Sequence, residues 1–61
     1  MKTSELIKFV KSFGCRIERH GSKHDEWVNP KTGGRTYIPR HKSDEIPTGT
    51  VHRILKDLGL K

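Results

Sequence analysis

The sequence predicts an α+β domain in the order α-β-β-β-α, a three-stranded antiparallel sheet with two helices on one face. Three observations carry this reading. Apolar residues recur at helical spacing near both ends of the chain. Between them the period falls to two, as in half-buried strands. The two connections within that middle stretch are short and rich in turn residues, which joins neighbouring strands as a meander.

The first helix is expected over residues 3–13. Leu6, Val10 and Phe13 form its apolar stripe, flanked by Ile7 and Phe9, while Lys8, Lys11 and Ser12 fall on the other side. Thr3 or Ser4 is the expected cap, Glu5 faces the positive helix end, and Gly14 is placed to end the helix in a left-handed conformation. From Cys15 the period changes: Cys15, Ile17 and Arg19 alternate with Arg16, Glu18 and His20. Gly21-Ser22 is a turn, and residues 24–29 read as the second strand. Pro30-Lys31-Thr32-Gly33-Gly34 is a second turn, because Pro presets one dihedral and Gly accepts positive φ. Residues 35–38 form the third strand, stopped by Pro39. A polar loop follows, and Pro47-Thr48-Gly49-Thr50 introduces the last helix, with Thr48 or Thr50 as its cap. Val51, Ile54, Leu55 and Leu58 are its stripe, Gly59 ends it, and Leu60 is placed to fold back as an apolar contact. Three strands need one face covered, and two amphipathic helices supply that while leaving the other face open.

With 61 residues the chain holds one domain, residues 1–61, and one small core. A chain of this size is not expected to build a large enclosed pocket, so function is expected on an exposed face. The net charge of +6 points to a polyanionic partner. Nucleic acid comes first, then an anionic membrane surface or an acidic protein. Charge alone also fits a small basic protein with no such partner. The single Cys15 makes no internal disulfide and reads as a small buried side chain. No apolar run reaches membrane-spanning length, and the first residues lack the apolar core of a signal peptide. The chain therefore reads as cytoplasmic, complete and not membrane-bound.

Strand alternation selects the residues that could carry chemistry. Trp27 shares a face with Asp25 and Asn29, and His24 with Glu26 and Val28. On the third strand Thr36 and Ile38 oppose Arg35 and Tyr37. If Trp27 and Ile38 face the helices, His24 and Tyr37 lie on the open side, with Val28 exposed beside them; a bulge near Gly21 would change this. An imidazole gives or takes a proton at neutral pH. RNA carries its own nucleophile, the 2′-hydroxyl, so one positioned histidine could activate that group or protonate the departing 5′-oxygen. Nearby cations would stabilise the charge at phosphorus. Lys23 adjoins His24, and Arg35, Arg40 and Lys42 are expected to approach from the third strand and its loop as phosphate-binding residues. His41 is a candidate phosphate contact or second proton donor, or else a solvated loop histidine. His20 is a weaker partner for His24, and His52 has no assigned role. Gly-Ser-Lys-His by itself is a weak motif. His20, His24, Asp25, Glu26 and His41 are metal-ligand types, but no pair has zinc-finger spacing and adjacent strand residues face opposite ways, so no metal is expected.

Several stretches taken together resemble the HicA-type toxins of prokaryotic toxin–antitoxin pairs. They are Ser4-Glu5-Leu6-Ile7-Lys8 with Gly14, Gly21-Ser22-Lys23-His24 with Trp27, Pro39-Arg40-His41, and Gly49-Thr50-Val51-His52-Arg53-Ile54-Leu55-Lys56-Asp57-Leu58-Gly59-Leu60. The resemblance spans nearly the whole chain. It implies a double-stranded-RNA-binding-like fold and a metal-independent endoribonuclease that cleaves mRNA and blocks translation and growth. It implies no cofactor, and a HicB-type antitoxin protein as partner. The catalytic histidine of the family falls here on His24; many members place it directly after Gly-Ser, whereas Lys23 intervenes in this chain. The competing expectation is a non-catalytic RNA-binding module of the same fold. A third class, a protein-interaction domain, predicts no RNA affinity at low salt.

Overall fold

The computed structural model describes residues 1–61. The elements are helix α1 (Thr3–Ser12), strands β1 (Arg16–His20), β2 (His24–Val28) and β3 (Arg35–Pro39), and helix α2 (Thr48–Asp57). The order is the expected α-β-β-β-α, and the antiparallel strands lie β1-β2-β3 with β2 central. No helix is long and apolar enough to cross a membrane.

The core forms where the two helical stripes meet the sheet. Leu6 and Val10 of α1 pack with Val51 and Ile54 of α2, Leu58 at its end, and Trp27 and Ile38 of the sheet. Cys15 and Ile46 complete it. Phe13, expected in the stripe, is 46% exposed because α1 ends at Ser12. Its ring instead meets Phe9 edge-on, with centroids 5.1 Å apart. Ile46 comes from the stretch read as a polar loop. That loop is stitched to the first helix: Ile46 N–H donates to Met1 O, Thr3 N–H to Asp44 O and Ser4 N–H to Lys42 O.

This stitching changes the cap of α1. Lys2 occupies the capping position, and its N–H donates to Glu5 Oε1 at 3.0 Å. The Thr3 hydroxyl donates to Asp44 O instead of capping, since loop carbonyls already receive the first helical amides. At α2 neither Thr48 nor Thr50 caps; Pro47 stands in that position with no side-chain bond. Both helix ends match expectation. Gly14 and Gly59 have φ of 88° and 70°, and the following residues, Cys15 and Leu60, donate back to Val10 O and Leu55 O. This pattern returns Cys15 and Leu60 to the core side.

The β2–β3 turn grips the end of α2. Asn29, almost fully buried, donates Nδ2–H to Leu58 O at 2.8 Å, and the Thr32 hydroxyl donates to the same oxygen at 3.0 Å. Asn29 Oδ1 accepts the Lys31 N–H at 3.0 Å. One side-chain amide thus shapes the turn and satisfies an orphan helix carbonyl.

In β1 the expected alternation fails. The register slips between Ile17 and Arg19, so Ile17 pairs with Trp27 while Arg19 pairs with Glu26 on the opposite face. This bulge returns His20 to the helix side, opposite Asp25. β2 remains regular, and His24 stays on the open side with Glu26, Val28 and Tyr37. Val28 is nevertheless buried. Its cross-strand neighbours are Arg16 and Arg35, whose long aliphatic stems are of a kind that covers an apolar neighbour on the same face.

Candidate functional site

The site starts from the β1–β2 turn, Gly21-Ser22-Lys23. Gly21 N–H donates to His24 O at 2.9 Å, and Arg40 N–H to Lys23 O at 3.3 Å. A Cβ on Gly21 would lie 2.4 Å from the His24 carbonyl oxygen, so the turn is this tight only with glycine. Asp25 anchors it from the helix side. Its Oδ1 accepts from His20 Nδ1 at 3.0 Å and from Arg40 Nε and Nη2 at 3.2 and 3.0 Å. Arg40 Nη2 also donates to the Gly21 carbonyl. One carboxylate therefore holds His20 at the start of the turn and, through Arg40, the turn itself.

Burial pushes the Asp25 carboxyl towards higher pKa, but the hydrogen bonds and charges of His20 and Arg40 outweigh it and hold the group below the usual carboxylate range. The folded state therefore binds this proton more weakly than the unfolded chain. Its stabilisation is complete above the unfolded value, about 3.9, and disappears as pH falls through the lower folded value. Asp25→Asn is expected to cost about 1–3 kcal/mol in urea unfolding at pH 7. The gap to wild type should close as pH drops below about 4; a gap that is constant with pH would remove the carboxylate from this role.

On the open side His24 pairs with Pro39. Its side chain lines an open cleft of about 280 Å³ with Tyr37, Pro39, Thr50 and Arg53. The Tyr37 hydroxyl donates to Glu26 Oε2 at 3.4 Å. Thr50 and Arg53 come from α2, on the edge of its apolar stripe. Arg53 Nη1 stands 3.8 Å from Asp57 Oδ2, the oxygen that also accepts the Thr36 hydroxyl at 3.2 Å. The cleft thus combines a proton-transfer group, hydroxyl donors and a guanidinium suited to an oxyanion. It is too shallow to enclose a substrate, and it suits one linkage of a polymer.

The sequence-predicted residues divide around this cleft. Lys23 is exposed in the turn beside His24. Arg40 is directed to Asp25 and Gly21, on the helix side. His41 and Lys42 are exposed in the following loop and do not line the cleft. Arg35 pairs with Val28, four positions from Pro39 along β3, which is roughly 13 Å at strand rise. There it bonds Glu18 Oε2 at 3.2 Å, with Glu26 at 3.9 Å, so its expected approach to His24 is not made. His20 faces Asp25 instead of His24. Burial raises the pKa of the Cys15 thiol and keeps it protonated, unlike a nucleophile. No three His, Cys, Asp or Glu side chains group as metal ligands.

Thr50 and Arg53 were missed from sequence. Their i, i+3 spacing places them on one helical stripe beside the apolar one. Which edge of α2 meets His24 depends on helix packing, which that spacing does not set.

The family model described as HicA toxin of bacterial toxin–antitoxin matches residues 3–60. No curated protein matches the chain. Among solved structures, a chain of the crystal structure of the E. coli HicAB toxin–antitoxin complex is 37% identical, with a TM-score of 0.84. The match covers 98% of this chain and 100% of that chain.

Proposed function

The chain belongs to the HicA toxin family of bacterial toxin–antitoxin systems, and from that premise we propose that it is an endoribonuclease toxin acting on mRNA through His24. The observation that carries the reading is His24 in an open cleft with Arg53, Tyr37 and Thr50, on a chain of net charge +6. An open cleft admits one phosphodiester of a long strand, and the basic chain attracts that strand.

The chemistry is a transesterification. The RNA 2′-oxygen bonds to phosphorus and the bond from phosphorus to the 5′-oxygen breaks, which leaves a 2′,3′-cyclic phosphate and a 5′-hydroxyl. The 2′-hydroxyl loses a proton and the departing oxygen gains one. His24 carries one of these transfers: as imidazole it takes the first proton, as imidazolium it supplies the second, and solvent exchanges the other. The nucleophile belongs to the substrate, so cleavage requires no metal-bound water. Lys23, Arg40, His41 and Lys42 border the turn and the loop beside this end of the sheet and supply longer-range attraction for phosphate. The site of action is the cytoplasm, where mRNA is found.

A HicB-type antitoxin is the proposed protein partner, since the E. coli neighbour is in a toxin–antitoxin complex. The simplest inhibition is a carboxylate-rich surface laid over His24 and its cations.

Purified protein is expected to cleave RNA with excess EDTA present, and its induction to arrest bacterial growth. Protein that binds RNA with steep salt dependence yet leaves it intact would establish the non-catalytic module instead.

A further inference from the structure

We propose that the outer face of α2 carries the RNA strand into the His24 cleft, with Arg53 on the phosphate that is cut; this rests on the ribonuclease reading above. Arg53 is shared by two depressions. One is the His24 cleft, and the other, of about 570 Å³, is lined by His52, Arg53, Lys56 and Lys61. No acidic residue lines either. A strand that follows the second depression towards its shared wall arrives at His24.

The other cations lie elsewhere. On the open sheet face Arg35 is matched by Glu18 and Glu26, on the helix side Arg40 is bonded to Asp25, and Arg16 and Arg19, which have no carboxylate partner, do not line the His24 cleft. Lys56 on α2 and Lys61 beyond its end make no ion pair with an Asp or Glu side chain, and the Arg53 side chain is 60% exposed with only the long Asp57 contact. Asp57, itself fixed by Thr36, is a positioning residue that limits where this guanidinium points.

The chemistry fits the placement. As the 2′-oxygen attacks, negative charge grows on the two non-bridging phosphate oxygens. A planar guanidinium offers paired N–H donors to two such oxygens, whereas an ammonium offers a point charge. Arg53 therefore suits the reacting phosphate, and Lys56 and Lys61 suit the phosphates that lead to it.

The test uses purified Arg53→Gln, Arg53→Lys and the double variant Lys56→Gln/Lys61→Gln, each with its melting temperature measured. Cleavage is followed at saturating RNA oligonucleotide. Binding is followed against salt with a 2′-deoxy oligonucleotide, which lacks the nucleophile. Arg53→Gln should cut about 10²–10³-fold more slowly, with partial recovery in Arg53→Lys. The lysine variant should keep its saturated rate but bind with a log–log salt slope shallower by about 1.4, two phosphates at 0.7 each. Wild-type cleavage in Arg53→Gln, or a wild-type slope in the lysine variant, overturns the proposal. Loss of antitoxin binding with RNA binding and its salt slope unchanged does so too, and assigns this face to the protein partner. If wild type leaves RNA intact, the ribonuclease reading fails and the role of Arg53 falls with it, and the salt slope alone then decides whether α2 carries the strand.

Discussion

His24→Ala is expected to lower RNA cleavage by about 10²–10⁴-fold and to remove growth arrest, with the melting temperature unchanged. The two halves of this expectation have separate structural grounds. The loss follows because His24 is the only imidazole in the cleft with Arg53 and Tyr37. His20 is turned to Asp25 on the other face, and His41 and His52 lie outside the cleft. No neighbour stands ready to take over the proton. The preserved fold follows because the ring is exposed and makes no hydrogen bond within the chain, while the bond that closes the turn uses the His24 backbone carbonyl. An exposed substitution away from caps and core usually stays within about 0.5 kcal/mol. Growth curves after induction, initial cleavage rates and thermal melts of the two proteins decide the matter. Undiminished cutting by the folded variant would take His24 out of the mechanism.

Gly34→Ala is expected to have the largest effect on stability, although it adds only one methyl group. A Cβ there would stand 2.2 Å from Asp57 O and 2.9 Å from Leu58 Cα, inside the backbone of the α2 terminus. Neither side yields easily. Leu58 is fully buried, and its carbonyl receives both Asn29 and Thr32 from the same turn. Relief of the clash separates the turn from the helix, breaks those bonds and opens the core at Leu58. Overpacking of this kind costs about 3 kcal/mol, the upper part of its usual range. In so small a domain that lowers the melting temperature by roughly 12–24 °C. Gly49→Ala is the internal control. Gly49 lies in α2 with open space where its Cβ would go, so alanine there should hold or raise stability, by up to about 1 kcal/mol. Equal melting of Gly34→Ala and wild type would show that the turn can leave the helix at no cost.

The parts of the fold that were legible in the sequence are those fixed by nearest neighbours along the chain. The stripe of Val51, Ile54 and Leu58 is set by helical period, and the ends at Gly14 and Gly59 by the conformational freedom of glycine. His24 was placed on the open side correctly because β2 is regular. The illegible parts are those fixed by distant contacts. Thr3 has the composition of a cap, yet carbonyls from the 42–44 stretch receive the first amides of α1 and leave its hydroxyl for Asp44. The bulge in β1 has no glycine to announce it, and it alone decides that His20 serves Asp25. Val28 read as an exposed apolar residue because a two-state alternation ignores the long stems of Arg16 and Arg35 on either side. Arg53 was hidden for the same reason as Thr3: its neighbour in space, His24, belongs to another element.

The cleft is assembled from β2, β3 and α2, and this imposes an order of events during synthesis. A ribosome delivers His24 and its turn well before Thr50 and Arg53. Until those residues have emerged and α2 has docked under the grip of Asn29 and Thr32, the nascent chain carries the histidine without the wall that faces it. The cleft is thereby among the last features of the chain to form: the ribosome that translates this message finishes α2 before its product has a formed cleft.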